Sequence, residues 1–286
     1  MKKIKIKSYC KINLYLKVIK KLSNGYHNIS SLITFCNLHD VISISRVKNL
    51  SDKISFSGKF KGGINYNSNT VVKVLNLLRK NNFLLNQSFK INIQKNIPHG
   101  SGLGGASSNA AALLNYFNKR MNLKISKKKL MKLAEQIGFD VPISLEKRNT
   151  FLTGRERKII RLNQRFRFNI LIVYPNIICS TKKIYSKNRE KSSIINDHFF
   201  GKKGKQLIDS LIKCNNDLEK IVVKIYPKIG KIINYIKSQK GCFFSRITGS
   251  GSACIGIFSN ISDANYAQKM IKLKYPKYWC SVSKTI

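Results

Sequence analysis

Alternation with a period of two opens the chain. Ile4 and Ile6, then Ile12, Leu14, Leu16 and Val18, predict two strand segments meeting near Tyr9-Cys10. Lys11 and Asn13 have the opposite parity, so they project to the other face. The run 23–27, Ser-Asn-Gly-Tyr-His, predicts a turn leading to a strand over 29–35. Residues 41–45 and 53–57 read as a further strand pair. Asn69-Thr70 caps a predicted helix whose Val71, Val74, Leu75 and Leu78 recur at helical spacing. Residues 89–97 alternate again. Residues 110–117 are rich in helix formers, with Ser107, Ser108 and Asn109 available as caps. Ser126 opens another helix, with Leu130, Leu133, Ala134 and Ile137 on one face and Gly138 at its end.

Beyond Gly138, Pro142 biases Val141 towards an extended shape and stiffens the corner that carries Asp140. Short strands are expected over 149–162 and a buried strand over 168–174. The polar, charged stretch 182–204 predicts a mobile loop. Helices follow near 205–214, 217–225 and 228–238, then strands over 243–247 and 253–258 around Thr248-Gly-Ser-Gly-Ser252. A helix from Ser262 and a strand near 278–284 complete the pattern. Without internal repeats, this alternation predicts a two-domain α+β protein, 1–160 and 161–286.

The stretch from Ile97 to Ala112 joins a strand to a helix through Gly100, Gly102, Gly104 and Gly105. Outward N–H groups, a helix dipole and missing side chains make an anion cradle of such a loop. It is neither a Walker A loop, since no Lys follows Gly104 or Gly105, nor a dinucleotide loop, since no acidic residue stands about twenty positions on. A capped flexible turn is the bland alternative.

Composition narrows the classes. With 286 residues and 43% hydrophobic content the chain can bury a substantial core, and its apolar runs fall short of the ~18 residues of a membrane span. The basic N-terminus has no apolar segment of a secretory signal. Seven cysteines, an odd number without a Cys-x-x-Cys pair, point away from disulfides and zinc and towards a reducing cytoplasm. The net charge of +42 invites a nucleic-acid reading. Its even spread, and the excess of Lys over the forked Arg, favour a solvated surface that would still help recruit phosphorylated substrates.

Only twelve acidic residues compete for the role of general base. Asp40 and Asp52 stand in loop-like context, and Asp197, Asp209 and Asp263 in surface patterns. Asp217 reads equally as a helix cap. Asp140, between a Gly-terminated helix and a proline, is the one a rigid corner would aim, unless it bonds its own backbone. A lysine partner would stabilise charge developing there, but local pattern does not select one lysine.

Residues 98–111, Pro-His-Gly-Ser-Gly-Leu-Gly-Gly-Ala-Ser-Ser-Asn-Ala-Ala, resemble the phosphate-binding signature of the GHMP small-molecule kinases. Lys11-Ile-Asn-Leu14 with Asn24-Gly-Tyr-His27, Gly138-Phe-Asp-Val-Pro142 and Arg246-Ile-Thr-Gly-Ser-Gly251 resemble further motifs of that family, in its order. They are most similar to the branch acting on a cytidine diphosphate-linked methylerythritol. The resemblance implies an N-terminal ribosomal-S5-like domain and a C-terminal ferredoxin-like domain. It implies Asp140 as base, Lys11 as its charged partner, and Pro98, His99, Gly100, Ser101, Gly102, Leu103, Gly104, Gly105, Ala106, Ser107 and Ser108 around the ATP phosphates. Asn13, Tyr26, His27, Thr181, Tyr185, Gly249, Ser250 and Gly251 would hold the substrate. Mg²⁺ would arrive on the ATP phosphates, and neither a specific nucleic acid nor a membrane partner is expected of a monomer or homodimer. His27 as a turn histidine and Tyr26 as a packing aromatic remain alternatives, as do another GHMP kinase activity and a basic RNA-binding protein. Two departures stand out: Tyr9-Cys10 replaces Pro-Ala before the lysine, expected to alter only local packing, and Gly154-Arg-Glu-Arg157 replaces Gly-x-Gly-Glu, the second alone predicting slower turnover.

Overall fold

The opening alternation runs further than the expected segments. β1 covers Ile4–Lys21 and β2 covers His27–Val47, each as one strand, and the two pair with one another. A computed structural model of the chain describes residues 3–23, 27–48, 51–153, 158–188, 192, 199 and 201–286. The stretch Asn37-Leu-His-Asp40 does not break β2. Asp40 shares the parity of Ile42 and Ile44, and all three are buried. Asp40 is thus a strand residue and not a loop residue.

Two compact units form. The first comprises Met1–Lys11, Leu38–His99 and Gly104–Lys147; the second comprises Ile12–Asn37, Gly100–Leu103 and Arg148–Ile286.

In the first unit, Val41–Val47 of β2 pairs antiparallel with β4 (Ser88–Gln94), whose other edge takes β3 (Lys53–Ser57) in parallel. The expected pairing of 41–45 with 53–57 is therefore corrected, because β4 lies between them. Helix α1 (Thr70–Lys80) makes the crossover that a parallel β3–β4 pair requires. The Asn69 side chain caps α1, accepting the N–H groups of Val71 and Val72. Arg79 and Lys80 in its last turn complement the dipole. Helices α2 (Gly105–Arg120), α3 (Lys127–Ile137) and α4 (Val141–Ser144) complete the layer. Their apolar faces meet Ile42, Ile44, Ile91 and Ile93 in one core, with Phe117 edge-on to Phe89 at 4.9 Å. Ser126 and Gly138 bound α3 as expected.

Two local expectations are corrected. Helix α2 starts at Gly105, before the serines; its N-cap is Gly104, in left-handed conformation at φ +68° and without a side-chain cap bond. Val141 is helical and not extended, because Pro142 falls in the first turn of α4, where its missing N–H is spare.

Asp52, also read as a loop residue, receives both arms of the Arg79 fork at 2.7 and 2.9 Å and the Phe89 N–H at 2.9 Å. It ties α1 to β4. Asp52→Ala is expected to cost about 1–3 kcal/mol, because it orphans a backbone donor and a half-buried guanidinium together. Urea unfolding monitored by circular dichroism measures that loss.

The second unit contains β5 (Thr150–Thr153) and β6 (Lys158–Arg161), antiparallel to one another, with β5 also paired to Ser31–Ile33 of β2. A four-stranded antiparallel sheet follows, from β7 (Asn169–Tyr174), β8 (Cys242–Ile247), β9 (Cys254–Phe258) and β10 (Trp279–Lys284), in the order β10-β7-β9-β8. With α7 (Glu219–Ile225) and α8 (Pro227–Lys237) after β7, and α9 (Ile261–Lys274) between β9 and β10, this is the expected ferredoxin-like arrangement. Ile229, Ile232, Ile236, Ala264, Ala267 and Ile271 pack its core against Leu171, Val173, Ile247 and Phe258.

Arg246 braces β8, donating to the Leu14 carbonyl at 3.0 Å and the Leu211 carbonyl at 2.9 Å. Burial pushes its pKa down to about 10. Glu219 accepts the Ile247 N–H at 2.8 Å, and burial raises its pKa despite that bond. The chain past β10 reaches β2: Thr285 bridges Cys36, and the Ile286 N–H bonds the Phe35 carbonyl at 3.1 Å.

The loop expected over 182–204 is in part α5 (Thr181–Ser186), capped by Ser180, and α6 (Gly204–Ile212) begins at its far end. The predicted turn at 24–26 and the departure at 154–157 lie outside the described residues. Among the described residues no helix is long and apolar enough to cross a membrane.

Candidate active site

In the first unit, the opposite parity of Lys11 aims its side chain at the corner after α3. Its Nζ stands 3.3 Å from Asp140 Oδ2. Lys11 is 6% exposed and the Asp140 side chain 40%, so one partner is sunk in the protein and the other is presented to solvent. The Asp140 carboxylate does not cap α4. Its backbone carbonyl does that structural work, accepting the Ser144 Oγ–H at 3.0 Å and the Ser144 N–H at 3.2 Å. The alternative of a carboxylate bonding its own backbone is thereby removed.

Gly104 closes over the same lysine. A Cβ on Gly104 would stand 2.5 Å from Lys11 Cγ, so the glycine lets the helix start lie against the lysine stem. Gly105, Ala106 and Ser107 carry first-turn amides of α2, and Ser108 Oγ lies 3.3 Å from Ser144 Oγ. On the other flank, partial burial lowers the pKa of His99, with the Lys95 charge adding to it. Both causes favour the uncharged form of its ring.

The middle of the glycine stretch belongs to the second unit. Gly100 lies against Ile178, and the Ser101 carbonyl accepts the Ala253 N–H at 3.0 Å. Leu103 is fully buried. Gly102, at φ +82°, approaches the second glycine turn so closely that a Cβ would stand 2.2 Å from the Thr248 carbonyl oxygen and 3.1 Å from that of Gly251. Asn13 joins the same group. Its N–H donates to Thr248 Oγ1 at 2.8 Å, and its amide donates to Ser31 Oγ at 2.8 Å. Thr181 Oγ1 and Ser250 Oγ are 3.0 Å apart. Asn216 holds the Gly249 carbonyl at 2.8 Å, so the turn is tied from beneath. His27 and Tyr185 face one another with ring centroids at 5.1 Å. The structure therefore gathers Asn13, Thr181, Gly249, Ser250 and Gly251 about one turn and pairs His27 with Tyr185. Tyr26 lies outside the described residues.

One group escaped sequence reasoning. Asp40, fully buried in β2, accepts the N–H groups of Asn96 at 2.7 Å and Ile97 at 2.9 Å, the Asn109 amide at 3.1 Å, and the Lys95 ammonium. Its shared parity with Ile42 and Ile44 was the available signal. An acidic residue in phase with buried isoleucines needs partners.

Known proteins resemble this chain over its whole length. Residues 69–148 match the GHMP kinases N terminal domain, and residues 204–277 match the GHMP kinases C terminal model. A 4-diphosphocytidyl-2-C-methyl-D-erythritol kinase of Pelagibacter ubique is 38% identical over 287 residues, spanning 100% of both chains. One of Caldanaerobacter subterraneus subsp. tengcongensis is 32% identical, over 99% of this chain and 97% of the relative. Among solved structures, a 4-(cytidine 5'-diphospho)-2C-methyl-D-erythritol kinase superposes with a TM-score of 0.79 at 21% identity, covering 98% of this chain and 99% of the other. The homoserine kinase of Cytophaga hutchinsonii gives 0.73 at 15% identity, over 100% and 95%. These two likenesses speak for the fold.

Proposed function

The chain belongs to the 4-diphosphocytidyl-2-C-methyl-D-erythritol kinase family of GHMP kinases, and from that premise we propose that it moves the γ-phosphoryl group of ATP to the 2-hydroxyl of 4-diphosphocytidyl-2-C-methyl-D-erythritol, a step towards isoprenoid precursors outside the mevalonate route. The observation that carries the assignment of roles is the ion pair between buried Lys11 and half-exposed Asp140, beside the glycine-capped start of α2.

Phosphoryl transfer asks a protein for positioning and charge neutralisation more than for covalent chemistry. Pro98 to Ser108 are read as the cradle of the ATP phosphates. The absence of a side-chain cap on α2 supports this, since its first amides and dipole then favour an anion. Asp140 takes the proton of the acceptor hydroxyl as that oxygen attacks, and the solvent-facing side of its carboxylate supports that role. Lys11 fixes the carboxylate and offsets negative charge on the transferring group.

Asn13, Thr181 and Gly249–Gly251 are assigned to the acceptor side, and His27 with Tyr185, joined by Tyr26, to the cytidine diphosphate. In the tilted His27–Tyr185 pair, His27 is buried and the partly open Tyr185 ring is the surface suited to a flat base. Mg²⁺ prefers oxygen ligands and is usually bound through one or two carboxylates together with substrate phosphates. The Ser107 hydroxyl, at the start of α2, would fit that donor set beside the ATP phosphates. The ion, when bound, neutralises phosphate charge. Cysteines without a disulfide among the described residues are in keeping with a cytoplasmic enzyme.

The test is ADP release from purified protein with ATP, Mg²⁺ and the cytidyl alcohol, beside Lys11→Ala. Turnover by the wild type and a loss of about a hundredfold or more in the variant is the expected result. Turnover with a different small alcohol alone would leave the kinase family and remove the substrate. Silence with every acceptor would overturn the reading.

A further inference from the structure

We propose that Asp40 is a positioning residue for the phosphoryl donor, acting through the two flanks of the glycine loop. The proposal rests on the reading that residues 98–108 hold the ATP phosphates. Oδ1 of Asp40 receives the N–H groups of Asn96 and Ile97, the last two residues before Pro98. Oδ2 receives the Asn109 amide from the second turn of α2, together with the Lys95 ammonium. One carboxylate thus binds the strand exit to the helix start, and the glycine stretch is the span between them.

The surrounding contacts make this strap stiff. The Lys95 N–H donates to the Ser57 carbonyl at 2.7 Å, and the Lys95 carbonyl accepts the Phe60 N–H at 3.3 Å. Gly58 lies so close that a Cβ there would stand 2.8 Å from the Lys95 carbonyl oxygen. The lysine chain then runs beneath the helix start, with Nζ 3.5 Å from where a Cβ of Gly105 would be. Asn109 carries a further mark of the arrangement: its Oδ1 is buried with no hydrogen-bond partner among the described residues, while its amide is committed to Asp40. The carboxylate, and not a balanced set of bonds at the asparagine, fixes that side chain.

A buried carboxylate carries a large desolvation penalty, so it persists where its donors are fixed and complete. Here two backbone amides, one side-chain amide and an ammonium supply them. Loop amides aimed at an anion lose binding steeply when displaced by an ångström. Asp40 sets where those amides start.

The experiment compares wild type with Asp40→Asn and with Asp40→Asn/Lys95→Met. Steady-state KM values are measured for ATP and, separately, for the cytidyl alcohol, and Tm is measured for each protein. A rise of about tenfold or more in KM for ATP, with KM for the alcohol within about twofold, is expected of positioning. A merely structural role lowers Tm and the fraction of active enzyme while KM for ATP stays within about twofold, and that result overturns the proposal. Calorimetry of wild type with ATP and Mg²⁺ separates the underlying reading: no binding by wild type overturns loop and strap together. If neither Asp40 variant folds, Asn109→Ala decides, since it removes one arm and leaves the charge pair. A threefold or larger rise in its KM for ATP supports the strap, and an unchanged value overturns it.

Discussion

Asp140→Asn is expected to lower kcat by about a hundredfold or more while KM for ATP stays within about threefold. A positioned general base contributes about 10²–10⁴ in rate, and a hundredfold is about 2.7 kcal/mol of transition-state stabilisation. The substitution keeps the shape of the side chain and the α4 start, since the bonds to Ser144 come from the backbone carbonyl. It removes the proposed proton acceptor and the counter-charge of a buried lysine together. Rapid-quench measurement of the first turnover separates chemistry from product release. A loss confined to KM, with kcat intact, would show that Asp140 binds substrate and does not take the proton. Asp140→Glu restores the charge with one extra methylene and is expected to recover only part of the rate.

Gly102→Ala is expected to abolish most activity and to lower stability as well. The new methyl would have to occupy space 2.2 Å from one carbonyl oxygen and 3.1 Å from another, both on backbone that has little room to yield. At φ +82° the residue also enters the left-handed region, which costs roughly 1–2 kcal/mol for a side chain. Strand and helix hold the chain at either end of the glycine stretch, so the displacement falls on that stretch and on the turn at 248–251. A loss of about a hundredfold in kcat/KM corresponds to such a misplacement. Gly62→Ala is the control: nothing lies within 4 Å of the place its new methyl would take. Equal activity in the two variants would sink the argument from close approach.

These consequences were unequally legible before the structure. The helix over 70–80 and the helix after Ser126 were plain, because cap, apolar spacing and stop lie within a dozen residues of one another. The order β3-β4-β2 was not, because α1 carries β3 across to pair in parallel, and only the crossover decides which neighbour β3 meets. The start of α2 was misplaced because Ser107 and Ser108 are good caps by type, whereas the chain used the left-handed freedom of Gly104. For the site, composition and spacing singled out Asp140 and the glycine stretch. Its lysine partner came from resemblance to a family, since nothing local distinguishes Lys11 among so many lysines. Asp40 was overlooked because the worth of a buried carboxylate lies in its donors, and Lys95, Asn96, Ile97 and Asn109 are more than fifty residues away in sequence.

The pairing of Phe35 and Cys36 with residues 285 and 286 sets an order of events during synthesis. All segments of the first unit have been made once Lys147 is added. The second starts at Ile12, yet β10 must pair with β7 and residues 285–286 must reach β2 before its hydrogen bonds are complete. At roughly 5–20 residues per second, Phe35 waits on the order of ten to fifty seconds for its partner to leave the ribosome. For that interval Ser31–Ile33 can already pair with β5, whereas the edge of β2 at Phe35 and Cys36 stays without its C-terminal partners. Chains that stop short of residue 285 are therefore expected to leave that edge of β2 open, and Thr285 and Ile286 are what close it.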